Sequence, residues 1–339
     1  MNKKEILVNP PYNIGNDICL FKRRKYYVSE LQTLYLKDVL VTNNGICFKN
    51  SKIIPGSIQE YTDKTRIFEL TGLLQIKCNK LLTFNDNHQY LIIHHPWLNY
   101  YHWLTESIPK LWLVKNETRS MILLLPHNYK NILYVQESLK PFKFKGIQYY
   151  PDNCNIHLAN VAIPQIKPIC CYYDPYLVND IRDFYIDYVQ RETTVNIDLG
   201  NKIYIKRGDN PRRKIVNEED VINKLESFGF TSISAEKFSF YEQISFSKRI
   251  KYLISNGSGL TNMHFMNKQS TVMELFKKKT NINDFHDLVI WYLASALGLK
   301  YFYQQCRPVD KKMDMFRADL FVDIKILCEN VSRMLLNKV

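Results

Sequence analysis

The sequence predicts an α/β protein in two halves that face a ligand cleft, and three observations carry that prediction. From about residue 90 onward, apolar runs of strand length alternate with amphipathic stretches of helix length. A proline-bearing stretch at residues 160–176, with Pro164, Pro168 and Pro175, interrupts the alternation, which then resumes. A chain of 339 residues also exceeds what one core ordinarily serves and suits two.

The elements follow in order. Residues 1–75 mix short apolar runs with Asn, Gly and Pro turns and read as short strands and connections. Tyr90-Leu91-Ile92-Ile93-His94 reads as a strand. Residues 99–115 read as a helix, with Leu104, Ile108, Leu111 and Trp112 on one face. Met121-Ile122-Leu123-Leu124-Leu125 is a second strand, ended by Pro126, and residues 128–139 are helical with Ile132, Val135 and Leu139 in line. This order implies a largely parallel sheet. After the connection, a helix over 176–191 aligns Leu177, Ile181, Phe184 and Tyr188. Lys202-Ile203-Tyr204-Ile205-Lys206 is a strand. The helix at 218–228 turns Val221, Ile222, Leu225 and Phe228 inward, takes Asn217 as N-cap and stops at Gly229. Glu218, Glu219 and Asp220 suit its dipole. Residues 250–254 and Thr271-Val272-Met273-Glu274-Leu275 are further strands, and 284–297 is a helix. The tail at 319–336 is helical, with Leu320, Ile324, Leu327, Val331 and Leu335 inward. The domains divide at 1–170 and 171–318, with the terminal helix 319–336 completing the first.

Composition narrows the function classes. Hydrophobic residues at 46% and charged residues at 23% describe a globular protein. The net charge of +13 is dispersed over short clusters, Lys22-Arg23-Arg24-Lys25, Arg212-Arg213-Lys214 and Lys277-Lys278-Lys279. Such a balance suits an anionic partner: nucleic acid, an acidic membrane surface or a nucleotide-linked substrate. The alternative for any one cluster is a solvated basic surface. Eight cysteines without a C-x-x-C pair argue against a zinc template and read as reduced thiols. The N-terminal residues lack the apolar core of a signal peptide, and no apolar run reaches the about 20 residues that span a bilayer. The expectation is a cytoplasmic protein with at most peripheral contact with the inner face of an anionic membrane.

Three stretches carry chemistry. Ser255-Asn256-Gly257-Ser258-Gly259-Leu260-Thr261-Asn262 follows the strand at 250–254 and precedes a helix start. Glycines there let a ligand approach the backbone, and the unpaired N–H groups of a helix start suit a phosphate or diphosphate. Many such turns bind nothing. Asn99 through Leu111 places His102 and Glu106 four apart, hence on one helical face, where an imidazole beside a carboxylate serves as a general base. The alternative is an exposed ion pair. Arg207, Arg212 and Arg213 lie in a loop after the strand at 202–206, where guanidinium groups clamp a diphosphate, unless the loop is merely solvated. Glu274 ends a strand and can accept from ribose hydroxyls, or it is a surface residue. Asp86, His88, His94 and His95 fit no metal-ligand template and read as structural; no metal site is expected.

Taken together, these stretches resemble glycosyltransferase family 61. Its N-x-x-H-[FW]-x-x-[DE]-x-x-P motif is matched by Asn99, His102, Trp103, Glu106 and Pro109. Its S-R-x-x-x-x-R-R-x-x-x-N-E segment is matched by Arg207, Arg212, Arg213, Asn217 and Glu218, with Lys206 in place of Ser. Its H-G-A-G-L-T-N-x-x-F segment, followed by a strand ending in Glu-Leu, is matched by Gly257, Gly259, Leu260, Thr261, Asn262, Phe265, Glu274 and Leu275. Asn256 replaces the His and Ser258 the Ala, so this position keeps a hydrogen-bonding group but no cation. Ala296-Leu297-Gly298-Leu299-Lys300-Tyr301 is similar to the closing segment. The resemblance spans roughly 80–330 and leaves the first 75 residues unmatched.

The resemblance implies a GT-B-like pair of Rossmann-like domains and inverting transfer from a nucleotide-sugar donor. The acceptor is a glycan or lipid-linked glycan, and the product a capsule or lipopolysaccharide-type polysaccharide. Glu106 is expected as the base, with His102 as its partner or replacement. Arg207, Arg212, Asn256, Gly257, Ser258, Gly259, Thr261, Asn262 and Glu274 are expected to hold the donor. No well-placed D-x-D motif stands in the chain, so no cofactor and metal-independent chemistry are expected. Two other readings remain: a basic nucleic-acid-binding protein, for which no recognition motif speaks, and a catalytically silent nucleotide-sugar binder.

Overall fold

A computed structural model of the protein describes residues 3–58, 65–94, 97–165, 172–207, 212–280 and 288–336. The chain divides into two compact units, Met1–Lys4 with Tyr27–Tyr172 and Glu5–Tyr26 with Tyr173–Val339. Both mix helices with parallel strands.

β1 (Lys3–Leu7) and β2 (Lys25–Ser29) form a two-stranded sheet of their own. The first unit then builds β3 (Thr33–Val41), β4 (Cys47–Lys49) and β5 (Lys52–Ile53), followed by α1 (Thr65–Cys78), β6 (Lys80–Phe84) and β7 (Gln89–Leu91). Next come α2 (Tyr100–His102), a π-helical turn (Trp103–Ser107) and α3 (Ile108–Leu113). β8 (Met121–Pro126), α4 (Leu133–Leu139), β9 (Gly146–Tyr150) and β10 (Cys154–Pro164) complete it. The described strands order as β5-β4-β3-β10-β7-β8-β9, with β6 also on β10. β10, β7, β8 and β9 are parallel, as the alternation predicts, but β3 joins β10 antiparallel, from Ile156↔Val41 to Pro164↔Thr33. The sheet is therefore mixed. Val39, Tyr90, Leu124, Ile156 and Val161 lie in its core.

Residues 160–164, expected within the connection, are instead the end of this central strand. Pro164 is tolerated because it is the strand's last residue, where a missing donor costs least. Pro168 lies outside the described residues. The helix at 128–139 is shortened to a 3-10 turn at His127–Tyr129 and then α4.

The second unit comprises α5 (Pro175–Glu192), β11 (Lys202–Lys206), α6 (Glu218–Ser227), β12 (Thr231–Ser234), α7 (Phe240–Ser247) and β13 (Tyr252–Ser255). It continues through a 3-10 run (Gly257–Phe265), β14 (Thr271–Lys277), α8 (Val289–Ala296), β15 (Lys300–Pro308), β16 (Leu320–Phe321) and α9 (Ile324–Leu336). The strand order is β12-β11-β13-β14-β15-β16, parallel up to β15 and antiparallel at β16. From β11, the chain steps outward to β12 and then returns past β11 to β13. β11 and β13 are thus neighbours whose connections leave in opposite directions, and such a switch point opens a crevice at the carboxyl ends of the strands.

One face of this sheet presents Tyr204, Ile254, Met273 and Phe302 to Val221 and Leu225 of α6 and to Leu327, Val331 and Met334 of α9. The terminal helix therefore does not complete the first half, as its amphipathic stripe allowed; it closes the core of the second. The buried stripe of α5 is Val178, Ile181, Arg182, Tyr185 and Val189, so Leu177, Phe184 and Tyr188 are rotated off it. Asn217 makes no side-chain cap. Its amide instead donates to the Val322 carbonyl and accepts from the Val322 N–H, at 2.9 and 3.0 Å, tying α6 to the approach of α9. Of the helix expected at 284–297, α8 is observed, and 281–287 lie outside the described residues. No helix among the described residues is long and apolar enough to cross a membrane.

Candidate functional site

In the first unit, the chain leaves the carboxyl end of β7 and enters the helix that begins at Tyr100. The Asn99 side chain caps it, accepting from the His102 N–H at 3.0 Å. Trp103, Leu104, Ile108 and Leu111 are buried, and the Trp103 indole donates to Ser138 Oγ at 2.8 Å. Trp112 is only half-buried and carries the Lys115 ammonium over its ring at 3.8 Å. The turn between α2 and α3 is π-helical, with the Ile108 N–H reaching the Trp103 carbonyl. Such turns widen a helix locally and recur at functional sites.

His102 and Glu106 meet as their spacing predicts. Nδ1 lies 2.8 Å from Glu106 Oε2, and the two side chains are 15% and 0% exposed. A carboxylate accepts, so Nδ1 donates. Trp97 and Tyr101 hold the imidazole, with ring centroids at 4.8 and 5.0 Å. Glu106, expected to meet the acceptor, lies behind His102, and the group that reaches solvent is the imidazole.

Four residues on, Lys110 is 1% exposed. Burial pulls its ammonium down to about 8, opposed by the nearby Cys47 and Glu106, which favour the charge. The Cys47 thiol is pushed up to about 12 by burial, with Lys110 and a Ser57 hydrogen bond acting the other way. His102, Glu106 and Lys110 thus form a stripe at spacing four that runs from surface to interior. Lys110 was not singled out from the sequence; the signal was its i+4 relation to Glu106 on an otherwise apolar helix face.

Asp86 and His88 belong to a turn: Asp86 accepts from the His88 N–H and the Tyr90 hydroxyl, at 3.0 and 2.8 Å. His94 is buried against the Tyr150 hydroxyl at 3.0 Å, and His95 lies outside the described residues. Among the described residues no three His, Cys, Asp or Glu side chains converge.

In the second unit, Arg207 and Asn256 directly follow β11 and β13, the two strands of the switch point, where Ile205 pairs with Ser255. The Arg207 guanidinium donates through Nε to the Arg212 carbonyl at 2.6 Å and through Nη1 to the Asn256 carbonyl at 3.3 Å. The Asn256 amide donates to the Arg213 carbonyl at 2.8 Å. Asn256 therefore stitches the arginine loop to the turn. Gly257 has φ +73, and a Cβ there would stand 2.8 Å from Arg207 Nη1 and 3.0 Å from Arg213 Nη1. Both guanidinium groups consequently lie over this glycine. Burial, and then the Arg213 charge, pull Arg207 down to about 10. Two cations pressed together beside open backbone make a clamp for a multiply charged anion.

Arg213, in the left-handed region at φ +57, lies with Arg207 over Gly257, while the Arg212 side chain is exposed and its carbonyl braces Arg207. A non-glycine residue in that region is uncommon and costs free energy that a functional site retains. Gly208, Asp209, Asn210 and Pro211 lie outside the described residues. Ser258 is exposed at the turn, whereas Thr261 and Asn262 are 0% and 1% exposed and sit behind it. Ser255 Oγ donates to the Ile205 carbonyl at 2.6 Å and locks the two strand ends together. Glu274 pairs with Ser255 across β13 and β14 and accepts the Tyr301 hydroxyl at 2.7 Å.

The family model Glycosyltransferase 61 matches residues 100–273, just over half of the chain and inclusive of the imidazole–carboxylate pair, the arginine loop and the Gly257 turn. The chain belongs to the glycosyltransferase 61 family and is a glycosyltransferase. No curated protein matches it.

Proposed function

We propose that this member of the glycosyltransferase 61 family transfers a hexose or pentose, with inversion, from a nucleotide-sugar donor to a hydroxyl of a glycan or lipid-linked glycan. The product is a surface polysaccharide of capsule or lipopolysaccharide type, assembled on the cytoplasmic side in a GT-B-like enzyme. The observation that carries the reading is the pair Arg207 and Arg213 over Gly257 at the β11/β13 switch point.

In this reading the second unit holds the donor. The two guanidinium groups and the N–H groups at the start of the 3-10 run receive the diphosphate and stabilise the charge that grows on it as it leaves. The first unit supplies the base. His102 Nε2 takes the acceptor proton as the acceptor oxygen bonds to the anomeric carbon. The bond from that carbon to the diphosphate oxygen breaks, and its electron pair stays with the nucleotide. Glu106 orients the ring and balances the imidazolium that forms, the role a buried carboxylate plays behind a catalytic histidine. Lys110 lies close enough to Glu106 for that carboxylate to favour its charge. The arginines supply the positive charge that a metal supplies in other transferases.

A panel of nucleotide sugars, followed by release of free nucleoside diphosphate with and without chelator, tests this. The expected result is slow hydrolysis of one donor class, unaffected by chelator and reduced in Arg207→Ala. Release that needs a divalent cation would refute the assignment of charge to the arginines. No release or binding of any nucleotide sugar would refute the donor site.

A further inference from the structure

The second unit has a cavity of about 1100 Å³ at the end of its sheet opposite to the Gly257 turn. Its walls are the segments that lead into β11, β13 and β14, with Ile186 and Gln190 of α5, whereas the turn follows the last residue of β13. Lys202, Lys248, Arg249, Lys251 and Lys268 line it, and no carboxylate does. Two of the five are engaged: Lys202 Nζ donates to the Phe228 carbonyl at 2.8 Å, and Arg249 pairs at 2.7 Å with Asp198, which is not on the lining. Among the described residues no ion pair involves Lys248, Lys251 or Lys268.

The rim is cross-linked. The Asn267 amide donates to the Lys248 carbonyl, the Lys251 N–H to the Asn201 carbonyl and the Thr271 N–H to the Lys251 carbonyl, each at 2.8 Å. Cations gathered on one concavity without carboxylates repel one another, and one anion placed among them relieves every pair at once. The volume lies just above the about 300–1,000 Å³ usual for small-ligand pockets, and a concavity of that size has room for a phosphorylated head group.

We propose that this basin is a second anion site, which takes a phosphate-bearing ligand (a lipid headgroup or a free polyphosphate) independently of the Gly257 turn. The probe is inorganic triphosphate, titrated calorimetrically at low and at physiological salt into Arg207→Ala, so that the turn contributes least. Adding Lys248→Glu and Lys268→Glu should weaken binding roughly tenfold or more and flatten its salt dependence, with the melting temperature unchanged. A second arm sediments the full chain with phosphatidylcholine vesicles, with and without phosphatidic acid. Pelleting that requires phosphatidic acid and both lysines identifies the headgroup as the source, and triphosphate binding without pelleting identifies a soluble ligand. The proposal is overturned if the charge reversals leave both probes bound as before, or if neither probe binds the parent. It also fails if only a single-stranded oligonucleotide depends on the two lysines.

Discussion

Lys110→Met tests the buried stripe behind His102 through stability alone, before any substrate is known. Lys110 lies 1% exposed, and its ammonium is pulled from the ordinary 10.5 to about 8. The gap of about 2.5, at about 1.4 kcal/mol per pH unit, corresponds to about 3 kcal/mol. The unfolded chain holds this proton more tightly than the folded one. Below pH 8 the folded state therefore bears the whole cost of a buried charge, and stability is regained as pH rises from about 8 to 10.5. In Lys110→Met that rise should disappear. At neutral pH two effects oppose each other: relief of the buried ammonium favours the variant, and loss of the cation beside buried Glu106 disfavours it. The pH slope is free of that ambiguity. Urea denaturation of parent and variant between pH 7 and 10.5 should show the variant's relative stability falling by about 3 kcal/mol across the range. Other lysines titrate in both proteins and cancel. Parallel stability curves would show that Lys110 exchanges protons as an exposed lysine does and would refute the buried stripe.

The remaining predictions concern the two halves of the proposed reaction. His102→Ala should lower transfer by about 10²–10⁴-fold with nucleotide affinity retained, and Glu106→Gln should lower it less, since it removes the ring's partner and not the base. Full activity in His102→Ala with loss in Glu106→Gln would return the base to Glu106. Gly257→Ala should push aside Arg207 and Arg213 and weaken nucleotide binding, at a backbone cost of about 1 kcal/mol for its positive φ. Gly259→Ala should instead cost about 1–3 kcal/mol of fold stability, because its Cβ would stand 2.5 Å from Ser255 Oγ and 2.9 Å from Ile205 Cγ2. A larger loss of melting temperature in Gly257→Ala than in Gly259→Ala would contradict this division. Arg213→Ala should weaken nucleotide binding more than Arg212→Ala, as equilibrium titration of each would show; the reverse order would return the clamp to Arg212.

Local pattern in the sequence determined a good deal. His102 and Glu106, one turn apart, were enough to place an imidazole–carboxylate contact, because spacing along a helix settles which side chains meet. The apolar runs at 121–125, 202–206 and 271–275 identified strands, since each signal is complete within a few residues. Tertiary structure decided what spacing leaves open. Periodicity names the face on which Glu106 lies but not its depth; the sheet packed against that face put it behind His102 and set Lys110 beside it. Arg212 and Arg213 are equivalent in sequence, and only the fold, with a left-handed backbone at Arg213, brings the Arg213 guanidinium over Gly257. Residues 160–164 carry a proline yet form the end of β10, because β3 offered a partner more than a hundred residues away. The stripe on α9 fits any apolar surface, and the face of Tyr204, Met273 and Phe302 claimed it. In each case the deciding contact joins residues distant in the chain, and a local pattern carries no record of which distant surface will meet it.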